Sequence, residues 1–166
     1  MKTPKHIKDA EDQKDRNEYL AKVEGLLKKG KERDALLILR HALKETPDDP
    51  FLLSYYGCLT AIVERKAAHG AKICKDAIDI VKSSGRLGEF IHPVFYLNLG
   101  RCYHMGGQRK RAIDAFEQGL RMDSQDPNIL QEFKRIGMRN SPLISFLPRS
   151  NPLNRYIGLI LSRLRS

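Results

Sequence analysis

The chain has 166 residues, a length that suits one domain with its own hydrophobic core. Its 30 Lys and Arg residues against 20 Asp and Glu residues give a formal net charge of +10, which favours acidic partners or anionic surfaces and also keeps a protein soluble. No apolar run approaches the roughly 18 residues of a membrane-spanning helix, and residues 1–16 lack the apolar stretch of a signal peptide. The abundance of Leu, Lys, Arg, Glu and Ala predicts helices, and we expect a cytoplasmic protein.

Residues 1–15 are polar and of mixed charge, which predicts a charged N-terminal arm, either disordered or a frayed extension of the first helix. Two stretches of helical apolar spacing follow, and Gly30 between them predicts a turn. Pro47 ends the second of these helices. The apolar positions are Tyr19, Val23 and Leu26 before the glycine and Ala35, Leu39 and Ala42 after it.

A second helix pair begins at Pro50, since proline fits the first turn of a helix. One extra residue lies between its two helices compared with the first pair, so we expect an irregular turn at 66–69. Residues 83–92 then predict an inserted surface loop, because serine and glycine recur there. The spaced positions are Leu53, Tyr56, Gly57 and Thr60 on the first helix and Gly70, Cys74 and Ala77 on the second.

The third helix pair begins at Pro93 and has the clearest pattern. Gly100 has no side chain, so the second helix of the pair can cross close to it, and Phe116 fills the remaining space. Gly107 predicts the turn, five residues before Ala112, and Gly30 precedes Ala35 by the same distance. The remaining spaced positions of the first helix are Tyr96, Leu99 and Tyr103.

Beyond the third pair, residues 127–136 predict a capping helix that closes the open end of a helical array. Residues 141–152 contain three prolines among apolar residues, which excludes regular helix throughout and favours packing against another surface. Residues 151–165 predict a last helix, apolar over most of its circumference and flanked by arginines. This helix either folds back on the array or its groove, docks on a partner or a second copy of the chain, or lies on an anionic membrane.

The spacing from Tyr96 to Phe116 resembles the tetratricopeptide-repeat (TPR) pattern W-x2-L-G-x2-Y…A-x3-F, with Tyr in the Trp position. The resemblance implies an all-α TPR-type solenoid of three helix-turn-helix repeats, since one helix pair cannot bury its apolar face alone. The predicted organisation is an arm at 1–15, three repeats plus the capping helix at 16–140, and a C-terminal segment with an amphipathic helix at 141–166.

The family typically binds peptides in a concave groove lined by the first helix of each repeat, and it is not usually catalytic. Leu20 and Glu24 occupy positions where the family's carboxylate clamp has Lys and Asn, so the resemblance does not favour that clamp. An apolar or amphipathic segment suits this groove better. By position, the predicted groove residues are Leu20, Glu24, Lys28, Phe51, Ser54, Ile62, Leu97, Arg101, His104 and Met105.

No catalytic motif, phosphate-binding loop or metal-spaced group of His and Cys is present in the sequence. The three cysteines, Cys58, Cys74 and Cys102, lie within helical patterns and are predicted to be small, reduced core residues. We therefore expect no enzymatic activity, no metal and no cofactor. Nucleic acid is not the expected partner, because no known recognition motif accompanies the charge.

The sequence as a whole predicts a non-catalytic, cytoplasmic interaction module or adaptor that holds a peptide or helical segment in its groove. Two alternatives remain open. One is a chaperone for an unfolded client, because the chain resembles the three-repeat chaperones of bacterial secretion systems, although its basic charge departs from that family. The other is a peripheral membrane adaptor attached through the C-terminal helix, which could also mediate self-association.

Overall fold

The computed structural model describes residues 5–84 and 92–136. Within these ranges the chain is entirely helical apart from short turns, and seven α-helices follow one another along the sequence. They are α1 (Lys5–Lys28), α2 (Glu32–Glu45), α3 (Pro50–Val63), α4 (Ala67–Ser84), α5 (Pro93–Met105), α6 (Arg109–Met122) and α7 (Pro127–Ile136).

The three predicted helix pairs are α1–α2, α3–α4 and α5–α6, and the predicted capping helix is α7, so the all-α repeat architecture is confirmed. At the N-terminus α1 already begins at Lys5, so most of the predicted arm continues the first helix. The predictions for residues 141–166, and for most of the loop at 83–92, lie outside the described residues.

The turns within the pairs use the left-handed backbone region. Gly30 and Gly107 have φ of +66° and +70°, as expected for glycine between two helices. In the second pair the same conformation falls on Arg65, with φ of 60°. The predicted irregular turn at 66–69 was misplaced, because α3 ends at Val63 and α4 begins at Ala67, which leaves three residues for the turn.

The interior divides into two packed clusters, and α3 contributes to both. The smaller joins α1, α2 and α3, with Val23, Leu39 and Leu52 inaccessible to solvent. The larger extends from α3 to α7, and it contains the three cysteines as free, buried thiols, as predicted. A methyl group at Gly100 would overlap the Phe116 ring, which confirms that this glycine permits the helix crossing.

Three helices, α3, α5 and α7, begin with a side chain that caps backbone amides. Asp49 accepts a hydrogen bond from Leu52 N at 3.0 Å, and His92 Nδ1 accepts one from Val94 N at 3.2 Å. Asp126 accepts from both Asn128 N and Ile129 N at 2.9 Å. Since an uncapped helix start leaves amide donors unsatisfied, these three residues fix where α3, α5 and α7 begin. No helix in the described ranges is long and apolar enough to cross a membrane.

Candidate functional site

The first helices of the three pairs, together with α7, run parallel and in register. Tyr55 on α3 reaches Glu24 on α1, and Asn98 on α5 donates a hydrogen bond from Nδ2 to Ser54 Oγ on α3 at 3.1 Å. Arg101 on α5 then reaches α7, which places the three first helices and the capping helix side by side. We call the surface that they share the first-helix face.

A buried carboxylate lies at the α7 end of the first-helix face. Glu132 is 2% exposed, and its Oε1 accepts a hydrogen bond from Arg101 Nε at 2.8 Å. Arg135, one turn along α7, lies 3.4 Å from the same oxygen. A buried charge needs such partners because removal from water strongly disfavours it. These two arginines therefore hold Glu132 in place and leave a net positive charge at this end of the face.

A second polar contact joins α1 to α3. The Tyr55 hydroxyl donates a hydrogen bond to Glu24 Oε1 at 2.8 Å. Burial of Tyr55, together with the adjacent carboxylate, raises the pKa of this hydroxyl well above its usual value, while the charge on Arg101 lowers it by a smaller amount. The hydroxyl thus stays protonated and acts as a donor. We call Glu24, Tyr55, Arg101, Glu132 and Arg135 the polar strip.

Two aromatic rings pack together at the N-terminal ends of α3 and α5, and one cation from α1 lies over one of them. The rings of Phe51 and Phe95 are tilted, with centroids 4.8 Å apart, and the Arg16 guanidinium carbon lies 4.9 Å from the Phe51 centroid. Arg16 also lies 3.6 Å from a carboxylate oxygen of Asp49. Burial raises the pKa of Asp49, although the Leu52 amide and Arg16 act in the opposite direction.

The ten predicted groove residues fall into three classes of exposure. Glu24, Lys28, His104 and Met105 are exposed, and Leu20, Phe51, Ile62 and Arg101 are half-buried. Ser54 and Leu97 are buried at 0% and 3% exposure. Ser54 accepts the hydrogen bond from Asn98, and Leu97 belongs to the larger core cluster, so both hold the helices together. A direct contact of any of the ten with a ligand stays a prediction.

Three members of the polar strip were missed in the sequence: Tyr55, Glu132 and Arg135. Tyr55 follows Phe51 by one helical turn and therefore lies on the same side of α3. The spacing thus allowed Tyr55 to be chosen as a groove residue instead of Ser54. Glu132 is the one acidic residue between Asn128 and the end of the chain. An isolated acid among basic residues was the available signal for an ion pair.

The buried cysteines lie close together but offer no nucleophile. Cys74 and Cys102 have their sulfurs 3.7 Å apart, beyond the length of a disulfide bond. Burial raises the pKa of Cys58 to about 12, and the hydrogen bond with Cys102, together with burial, raises the pKa of Cys74. The thiolate is the reactive form, so Cys58 and Cys74 are poor nucleophiles at neutral pH. No group of His, Cys, Asp and Glu suited to a metal ion occurs within residues 5–84 and 92–136.

Comparison with known proteins supports the fold through solved structures. The first TPR domain of human RPAP3 matches with a TM-score of 0.54 and 17% sequence identity, covering 71% of this chain and 86% of that domain. The second TPR domain of human RPAP3, in complex with the HSP70 peptide SGPTIEEVD, matches with a TM-score of 0.53 and 15% identity, covering 77% and 99% respectively. The chain has the tetratricopeptide-repeat fold. No protein-family model matches it, and no curated protein matches its sequence.

In this TPR fold, α1, α3 and α5 are the first helices of repeats one to three, and α7 is the cap. The polar strip therefore crosses all three repeats and ends on the capping helix. The two neighbours share less than a fifth of their residues with this chain. Their likeness therefore establishes the architecture of the chain but not its ligand.

Proposed function

We propose that the protein is a non-catalytic interaction module that holds an amphipathic peptide or helical segment against the first-helix face. The observation that carries this proposal is the side-by-side placement of the three first helices and the capping helix. Half-buried apolar residues and the polar strip lie along them. Such a surface offers apolar contact area together with groups that fix the orientation of a bound chain. The peptide bound to the second TPR domain of human RPAP3 supports it by analogy.

The proposed ligand follows from the chemistry of the face. Leu20, Phe51 and Ile62 supply apolar area, because each is only half-buried. Lys28 and Arg101 supply positive charge near the C-terminal ends of α1 and α5, and Glu24 supplies a negative charge on α1. An amphipathic segment with both an acidic and a basic residue complements this arrangement. Leu97 contributes indirectly, because its side chain supports the face from the core.

The test compares two matched methionines. Met105, 38% exposed, lies on the first helix α5, and Met122, 44% exposed, lies on the second helix α6. Peptides selected from a displayed random library against the full chain would be titrated by calorimetry into Met105→Glu and Met122→Glu. We expect Met105→Glu to weaken binding by about tenfold or more, since one lost apolar anchor is worth about 1.5–3 kcal/mol, while Met122→Glu binds like the wild type.

Equal affinities for the two variants would contradict the proposal, as would a loss of binding only with Met122→Glu. Lys28→Glu and Lys44→Glu provide a second matched pair, since both residues are exposed and lie near the ends of α1 and α2 respectively. The chaperone alternative and the membrane alternative through residues 151–165 stay predictions, because no described contact bears on either.

A further inference from the structure

The turns within the three repeats lie along one edge of the protein. Because α1, α3 and α5 run parallel and in register, their C-terminal ends fall on the same side of the array. The turn after α5 approaches the start of α4, since a methyl group at Gly106 would lie 3.3 Å from Ala67 Cβ. The opposite side of the array carries the connections between repeats and the capped starts of the first helices.

The edge formed by the turns within repeats is rich in exposed cations. Glu64 is the carboxylate within the second turn, and both Arg40 and Lys66 already bind it. Glu32 and Asp34 follow the turn between α1 and α2 and lie in the first helical turn of α2. We call six of the exposed cations in or near the three turns the basic edge: Lys29, Lys31, Arg65, Lys66, Lys110 and Arg111.

The opposite edge has the reverse charge. The connection between α2 and α3 contains Asp48 and Asp49, and the connection between α6 and α7 contains Asp123 and Asp126. Two of these, Asp49 and Asp126, cap helices. These two connections are acidic, although exposed cations also lie in the last turns of the helices that end at this edge: Lys44, Lys82 and Arg121.

Helix stability explains the cations that follow the C-terminal ends of α1 and α3, which are Lys29, Arg65 and Lys66, but it does not explain those at the start of α6. The first turn of α6 contains Lys110 and Arg111 and no acidic residue, and Gln108 before it makes no capping hydrogen bond. Lys31 likewise precedes α2 without a side-chain cap. A helix start carries partial positive charge, so cations there are unfavourable and carboxylates favourable. The opposite edge follows that rule and the basic edge breaks it at α6, which indicates a role outside the fold.

We propose that the basic edge binds the surface of an anionic lipid bilayer. Its cations lie on exposed turns at Gly30, Arg65 and Gly107, and a membrane surface attracts such side chains without requiring a fixed ligand geometry. The aromatic rings next to this edge, among the described residues, are Tyr103, which is 9% exposed and lies beneath Lys75 and Arg111, and the exposed imidazoles of His69 and His104. No exposed Phe, Tyr or Trp ring occurs among the described residues of this edge, which disfavours a base-stacking surface for single-stranded nucleic acids.

The two proposed activities use different surfaces. The basic edge lies at the ends of the helices, whereas the first-helix face lies along their sides and meets the edge at Lys28 and Met105. The edge proposal does not depend on peptide binding, and each is tested by its own variants.

The test measures sedimentation of the full chain with vesicles of phosphatidylglycerol and phosphatidylcholine in equal parts, against vesicles of phosphatidylcholine alone. The edge variant carries Lys29→Glu, Lys31→Glu and Lys110→Glu. The control variant carries Lys14→Glu, Lys44→Glu and Lys82→Glu, which are also exposed, lie away from the basic edge and change the net charge equally. We expect the edge variant to lose at least about tenfold in affinity, and the control to lose much less.

Wild-type binding should also fall as salt rises, because exposed charges are screened. Equal losses in the two variants would overturn the proposal, as would no wild-type preference for anionic vesicles. Fluorescent single-stranded RNA and duplex DNA are titrated in parallel. Tighter binding to either, lost only in the edge variant, would assign the edge to nucleic acid and also overturn the proposal. Circular dichroism of both variants shows whether the fold is kept.

Discussion

Arg101 and Glu132 connect the third repeat to the capping helix through a hydrogen bond of 2.8 Å between Nε and Oε1. Glu132 is 2% exposed, so the guanidinium neutralises a charge that water cannot reach. In a TPR groove an arginine on the first helix is an obvious candidate for holding a ligand. Here the same side chain binds Glu132 at the end of the solenoid, whereas its contact with a ligand stays a prediction.

Replacing Arg101 with Ala should lower the free energy of unfolding by about 3 kcal/mol, near the lower limit for breaking a buried ion pair, because Arg135 remains nearby. Urea denaturation followed by circular dichroism measures the change. Adding Glu132→Gln to this variant removes the stranded charge and should restore most of the stability. If Arg101→Ala is neutral, or if the second substitution makes the variant less stable, the ion pair does not hold the cap.

Replacing Arg65 with Gly should raise the free energy of unfolding by about 0.5–1 kcal/mol. A side chain is unfavourable at a φ of 60°, and the relief exceeds the extra freedom that glycine gives the unfolded chain. Thermal melting measures the change. Gly30→Ala is the matched control in the first repeat, where the same conformation falls on glycine, and it should lower stability by about 1 kcal/mol. Changes of the same sign in both variants would contradict the explanation.

Stability should fall at alkaline pH because of Cys58. Burial raises the pKa of this thiol from 9.0 to about 12 in the folded chain. Between these values the unfolded chain releases a proton that the folded chain retains, so the free energy of unfolding decreases as pH rises, by up to about 1.4 kcal/mol per pH unit. Urea denaturation across this range should give a shallower pH dependence for Cys58→Ala. An unchanged slope would show that Cys58 does not contribute.

The helix pairs could be predicted from the sequence because their signals are local. Pro50, Pro93 and Pro127 each start a helix within a few residues of an acidic or histidine cap. Gly30 and Gly107 adopt the positive φ that a turn between helices needs. Apolar residues three and four positions apart identify a buried helix face in any structure. None of these inferences requires knowledge of which helices come together in space.

The candidate site was predictable only in part. Phe51 and Arg101 were placed on the first helices by their position in the repeat, and they do lie there. Ser54 was chosen in place of its neighbour Tyr55, although the structure buries Ser54 and directs Tyr55 to Glu24. A rotation of one residue about a helix axis is about 100°, so a loose repeat pattern does not decide which of two adjacent side chains is exposed.

The sequence by itself determined which stretches pair as helices and where α3, α5 and α7 begin, because caps, turns and apolar spacing act within a few residues. Only the tertiary structure decided which charges meet. Glu24 and Tyr55 are 31 residues apart in the chain, as are Arg101 and Glu132, and each pair becomes adjacent because neighbouring first helices stack in register. The grouping of cations beside the turns within repeats has the same origin, since antiparallel packing within each repeat brings these distant turns to one side.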